Sequence, residues 1–250
     1  MVNLKQVEEI VKILSKCEGF VSEAHLQHSF ALEMSRQYPY LRIFPEFKID
    51  VIVNGKRYDF ELDLLILDQN DGSKTCVELK YKTCNAESDK LNHYLIDFKS
   101  LKETYHPKNH GAEDLSFFDC WIDIERLDLL LNLKRISNGF FVFITNDIEF
   151  YKYKTFTGKD INRAAWTDFR MDKSCDAGIK RIGHNKNGNK PSVGDKYLKH
   201  DLYGNGDGSI YISKDYGPFL YKNFGIIPTQ RSNGILPPMD EFKSLVLEIK

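Results

Sequence analysis

Apolar positions at Leu4, Val7, Ile10, Val11 and Leu14 recur every three or four residues and predict a first helix over 4–16. Ser22 is an N-cap for a second helix, with Val21 placed to staple against Leu26. That helix presents Phe30 and Met34 on the same face and stops before Tyr38-Pro39, because proline disfavours helix in its predecessor. From Ile43 the period shortens towards two. Phe47 to Val53, Tyr58 to Leu67 and Thr75 to Tyr81 are rich in aromatic and branched residues and are joined by Asn54-Gly55 and the polar turn Asp68 to Ser73, which predicts a three-strand antiparallel meander. Ser88 caps a third predicted helix carrying Leu91, Leu95, Phe98, Leu101 and Tyr105; Trp121 to Leu131 is a fourth, and Gly139 to Thr145 is a fully buried strand. Phe219 to Ile227 and Phe242 to Ile249 are late strands. The Gly-, Asn-, Lys- and Asp-rich stretch Lys173 to Gly208 reads as loop. The expectation is an α/β fold with a central mixed sheet flanked by helices, a core over 1–155 and a loop-rich extension over 156–250 packed on it.

The meander fixes where polar residues meet. A register that sets Leu67 opposite Lys74 sets Asp63 opposite Glu78 and Glu61 opposite Lys80, because antiparallel partners keep a constant index sum. Side-chain alternation then gathers Glu61, Asp63, Glu78 and Lys80 on one face, with Leu62, Leu64, Val77 and Leu79 on the other. Acids in the middle of an otherwise apolar sheet carry an electrostatic cost: two carboxylates ~4 Å apart repel by about 4 kcal/mol at an effective dielectric near 20. Lys80 offsets part of it. A divalent cation offsets more, and carboxylate oxygens are the ligands that Mg²⁺ takes. Glu23, in line with Leu26 and Phe30 on the second helix and beside Gln27, is positioned to complete such a site. Glu in a first helical turn also suits the helix dipole.

Asp63, fourteen intervening residues and then Glu78-Leu79-Lys80, with apolar residues around both elements and a helix on either side, resembles the PD-(D/E)XK nuclease superfamily. The resemblance covers roughly residues 20–146. It implies a restriction-endonuclease-like fold and metal-dependent hydrolysis of phosphodiester bonds, with DNA favoured over RNA as substrate. It implies Asp63, Glu78 and Lys80 as catalytic residues, and Mg²⁺ or Mn²⁺ held by Asp63, Glu78, the backbone carbonyl of Leu79 and the upstream helix acid Glu23. Leu62 stands where the motif's proline would be. Lys90 and Tyr94 have the spacing of the Gln-x-x-x-Tyr element of some exonuclease branches but the wrong first residue.

Composition narrows the partners. A formal net charge of −1 gives no global attraction to nucleic acid, so contacts must come from local patches. Lys180, Arg181, Lys186, Lys190, Lys196 and Lys199 form one, suited to phosphates without base specificity, and a solvated loop accounts for them equally well. Five cysteines without a C-x-x-C pair argue against a disulfide scaffold or zinc knuckle and for reduced thiols in a cytoplasmic protein. Neither a signal peptide nor a membrane-spanning run is expected; a homodimer or a partner protein is compatible with the pattern.

Several polar groups have plainer readings. Glu61 is a local partner for Lys80 or a solvated edge charge. His25 and His28 are surface histidines. Asp119, Asp123, Glu125 and Arg126 are the polar side of the fourth helix, and Asp201 to Ser209 lacks the spacing and bidentate Glu of a calcium loop and is a turn. Two other functional classes stay open: a catalytically silent nuclease-fold module for nucleic-acid binding or assembly, and a non-nuclease metal enzyme acting on a small phosphate.

Overall fold

A computed structural model describes residues 1–16, 20, 22–82, 113–146, 148–151, 171, 176–180, 209–225 and 242–250. The predicted helix from Ser88, the staple residue Val21 and the basic residues Arg181 to Lys199 lie outside them.

Two helices open the chain, α1 (Leu4–Leu14) and α2 (Glu23–Gln37). Asn3 and Gln6 form a capping box on α1, and the Ser22 hydroxyl accepts from the His25 N–H at 3.1 Å to start α2. The meander follows as β1 (Leu41–Val53), β2 (Lys56–Asp68) and β3 (Lys74–Lys82). Then come α3 (Glu113–Asn132), β4 (Asn138–Thr145), the short α4 (Ile148–Tyr151), β5 (Gly178–Lys180), β6 (Ile210–Ile212), β7 (Lys222–Gly225) and β8 (Phe242–Ile249). The fourth predicted helix therefore begins at Glu113 rather than at Trp121.

Six strands form one mixed sheet in the order β1-β2-β3-β4-β8-β7, and β5 pairs with β6 separately. The meander is antiparallel, β4 runs parallel to β3, and β8 returns antiparallel to β4. A parallel neighbour requires a crossover, and α3 lies in it. Residues beyond 155 thus supply two strands of the central sheet.

The sheet has a core on each face. Val7, Ile10, Leu14, Leu26, Phe30 and Met34 from α1 and α2 pack on Leu64, Ile66, Val77, Leu79, Phe140 and Val142. Phe118, Trp121, Ile124 and Leu127 from α3 pack on Leu65, Cys76, Phe141 and Phe143, with Ile210 and Ile212 joining the layer. β4 is buried along its whole length, as a strand covered on both faces must be. Gly139 keeps α3 close, since a Cβ there would stand 3.2 Å from Leu127 Cδ2.

One irregularity shapes the site. In the outer part of the hairpin the pleat is turned over: Ile49, Val51 and Val53 of β1 and Phe60 and Leu62 of β2 join the α3-side core, whereas Leu41, Ile43, Leu64 and Ile66 face α1 and α2. The switch falls between the pairs Pro45–Leu64 and Phe47–Leu62, where Glu46 lies across from Asp63. Glu46 has φ of +51°, a left-handed conformation that a non-glycine residue rarely adopts and that reverses the strand's alternation locally.

Candidate active site

The predicted register of β2 and β3 holds for Leu67–Lys74, Ile66–Thr75, Leu65–Cys76 and Leu64–Val77, and stops there. Beyond it, at the same place where the pleat turns over, acid side chains take over from the ladder. Asp63 Oδ2 accepts from the Leu79 N–H at 2.7 Å, and Glu78 Oε2 lies 3.4 Å from the Asp63 N–H it accepts from. Each acid caps the backbone of the opposite strand, which brings both side chains to the opening between β2 and β3, near enough that, beyond burial, the Asp63 charge raises the Glu78 carboxyl. The Asp63 carbonyl accepts from Gln27 Nε2 on α2 at 2.6 Å, which ties this point to the helix layer.

Glu23, half-buried in the first turn of α2, accepts from the Tyr81 N–H at 3.0 Å and pairs with Lys80 Nζ at 3.4 Å. Its carboxylate therefore engages the end of β3. From the other face, α3 contributes residues that the sequence reading placed on a solvated helix side: Asp123 and Glu125 are buried, and Arg126 is largely so. Asp123 Oδ2 is 2.8 Å from Lys80 Nζ, and Arg126 Nη1 is 2.9 Å from Glu78 Oε1. The same Nη1 donates to the Glu61 carbonyl at 2.9 Å, Nη2 is 3.4 Å from Asp123 Oδ1, and the guanidinium lies 5.7 Å from the centre of the Phe60 ring.

Glu61 does not join the group. With the pleat reversed beyond Asp63 its side chain is exposed and pairs with Lys48 at 3.4 Å, so neither the shared face with Lys80 nor the Lys80 pairing forms. His25 is half-buried with its ring 5.5 Å from that of Phe20, while His28 is exposed. Glu125 and Asp128 of α3 are structural: Glu125 Oε1 accepts from the Tyr211 N–H, and Asp128 accepts from Ser213 N–H, Ser213 Oγ and Tyr216 Oη, which fastens the β6 segment to α3. Of the predicted basic patch, Lys180 is described, and its ammonium lies 4.6 Å from the centre of the Trp121 ring.

Four carboxylates (Glu23, Asp63, Glu78, Asp123) meet two cations (Lys80, Arg126) here, a net charge of −2 when all are ionised. Burial pushes the Asp63 carboxyl up to about 6, against the pull of Lys80. Burial also raises Glu78 well above the carboxylate range although Arg126 opposes it. Burial alone would lower the Lys80 ammonium, but Asp123, Glu23 and Asp63 outweigh it and keep the amine protonated far above neutrality. Among the described residues no group of three or more His, Cys, Asp or Glu side chains is arranged to hold a metal ion. In donor type and in charge, however, Asp63 with Glu78 fits a hard divalent cation: two carboxylates at one opening, both held back from ionising chiefly by burial, which a bound cation would offset.

In comparisons with known proteins, no family model, no curated protein and no solved structure matches the chain. No helix among the described residues is long and apolar enough to cross a membrane.

Proposed function

We propose that the chain is a metal-dependent nuclease with a restriction-endonuclease-like core, hydrolysing phosphodiester bonds in DNA through Asp63, Glu78 and Lys80. The observation that carries this reading is the opening of β2 and β3, where Asp63 and Glu78 each accept a backbone N–H of the facing strand and the Lys80 charge acts on Asp63. Asp63, Glu78 and the Leu79 carbonyl would hold Mg²⁺ or Mn²⁺, which would supply Lewis acidity to the phosphate and to the attacking water. Lys80 stays an ammonium, so its part is to donate to the phosphate or to orient the attacking water, not to accept its proton. Asp63 gives up its proton near neutrality and is then ready as an anionic oxygen donor. Glu23 and Asp123 hold Lys80 from opposite faces of the sheet.

The test is incubation of purified protein with supercoiled, linear and single-stranded DNA and with RNA, with and without Mg²⁺ or Mn²⁺. The proposal requires cleavage that EDTA abolishes. One observation favours a second reading, a silent module that binds nucleic acid without cutting: Arg126 already gives Glu78 a protein cation. Binding of labelled duplex in EDTA, with no cleavage in either metal, identifies that case.

A further inference from the structure

The residues of the Glu-x-Lys element are grasped by a charge-swapped pair on the facing helix. Asp123 and Arg126 are three apart on α3 and so lie on one face, and they meet residues two apart on β3: Arg126 reaches Glu78 and Asp123 reaches Lys80. The two also pair with each other at 3.4 Å. Arg126 takes only Oε1 of Glu78, and Oε2 is the oxygen that faces Asp63. Its bond to the Glu61 carbonyl spans the gap left where the β2–β3 ladder ends, so the guanidinium ties both sides of the opening together.

We propose that Arg126 and Asp123 are positioning residues: Arg126 fixes the rotamer of Glu78 so that one oxygen is turned to the opening, and Asp123 holds Lys80 alongside it. This rests on the nuclease reading of the site. A carboxylate held at one oxygen presents the other at a fixed place, the arrangement by which outer hydrogen bonds typically raise metal affinity or activity about 10- to 100-fold. Arginine suits the task because its planar fork donates in several directions at once, which an ammonium cannot do with the same geometry.

The experiment measures Mn²⁺ binding to the full chain by calorimetry without nucleic acid, alongside cleavage of duplex DNA, for wild type, D63A, R126Q, R126K, D123N and the control R135Q. R126Q should weaken Mn²⁺ binding about 10- to 100-fold and R126K about three- to tenfold. D123N keeps an oxygen for Arg126 and removes the charge that holds Lys80, so it should leave Mn²⁺ affinity within about threefold and lower kcat without raising KM for DNA. R135Q should match wild type in both measurements. Mn²⁺ binding that is unchanged or tighter in R126Q overturns the role of Arg126; if R126Q does not fold, R126K indistinguishable from wild type does so. Cleavage by D123N at the wild-type rate overturns that of Asp123. These failures differ from failure of the nuclease reading, which appears as wild-type protein that binds no Mn²⁺, or binds it equally after D63A, and takes both proposals down.

Discussion

Replacing Asp63 by Asn should make the metal-free protein more stable. The Asp63 carboxyl sits at about 6 in the folded chain against an ordinary 3.8. At 1.36 kcal/mol per unit this is about 3 kcal/mol between the protonated and ionised forms. A raised carboxyl favours the folded state while it is protonated: the contribution is complete below about pH 4 and is lost as the pH rises through about 6. At pH 8 without metal the ionised Asp63 therefore costs the fold about 3 kcal/mol relative to a neutral isostere. Asparagine keeps the shape and an oxygen to accept from the Leu79 N–H, and discards the charge. Asp63→Asn should gain about 2–3 kcal/mol at pH 8, or roughly 4–12 °C in Tm for a chain of this size, and the gain should shrink towards zero near pH 4. Urea titrations and thermal melts in EDTA from pH 4.5 to 8.5 make the comparison. Added Mn²⁺ should raise the Tm of wild type and leave that of the variant unchanged. Parallel stability profiles for the two proteins across this pH range would refute the reading of Asp63 as a carboxylate whose ionisation burial opposes.

Glu78 should respond differently, because Arg126 pairs with it: E78Q or R126M alone should each cost up to about 3–5 kcal/mol by breaking a buried ion pair, and the double variant E78Q/R126M should recover much of that stability, as a denaturant double-mutant cycle will register. Additive losses in that cycle would contradict the pairing. D128A removes the acceptor for Ser213 and Tyr216 and should free amide exchange in the segment around β6 while α1 and α2 stay protected. Alanine at Lys186, Lys190, Lys196 and Lys199 together should weaken duplex binding in all sequences and reduce the salt slope by about 0.9 for each phosphate that is no longer neutralised; identical slopes would make the stretch solvated surface.

The inner part of the hairpin register and the strands β2, β3, β4 and β8 were legible because they follow from short-range rules, whereas β5 lies in the stretch Lys173 to Gly208 read as loop, and β6 went unpredicted. The turn Asp68 to Ser73 and the alternation of Val77, Leu79 and Tyr81 leave one good pairing, and it forms from Leu64–Val77 to Leu67–Lys74. Ser22 marked the start of α2 in the same way. The turned pleat at Glu46 and Asp63 was not legible, since a single residue with φ of +51° has no hydrophobic signature, and with it went the expected place of Glu61. Asp123 and Arg126 were missed for another reason. Helical charges are ordinarily solvated, but α3 lies between the sheet and the β6 segment and has little free surface. A signal did exist: Cys120, Trp121, Ile122, Ile124, Leu127, Leu129 and Leu130 surround the helix with apolar groups, so its acids and arginine had to find partners within the fold.

Whether Asp63, Glu78 and Lys80 cut DNA is decided by cleavage of supercoiled plasmid by wild type and by Asp63→Ala, Glu78→Ala and Lys80→Ala, in Mg²⁺, in Mn²⁺ and in EDTA. Wild type should give nicked or linear DNA with metal only, and each variant that still melts cooperatively should lose most of that activity. Cleavage that persists in EDTA, or folded variants that cut as fast as wild type, would contradict that role.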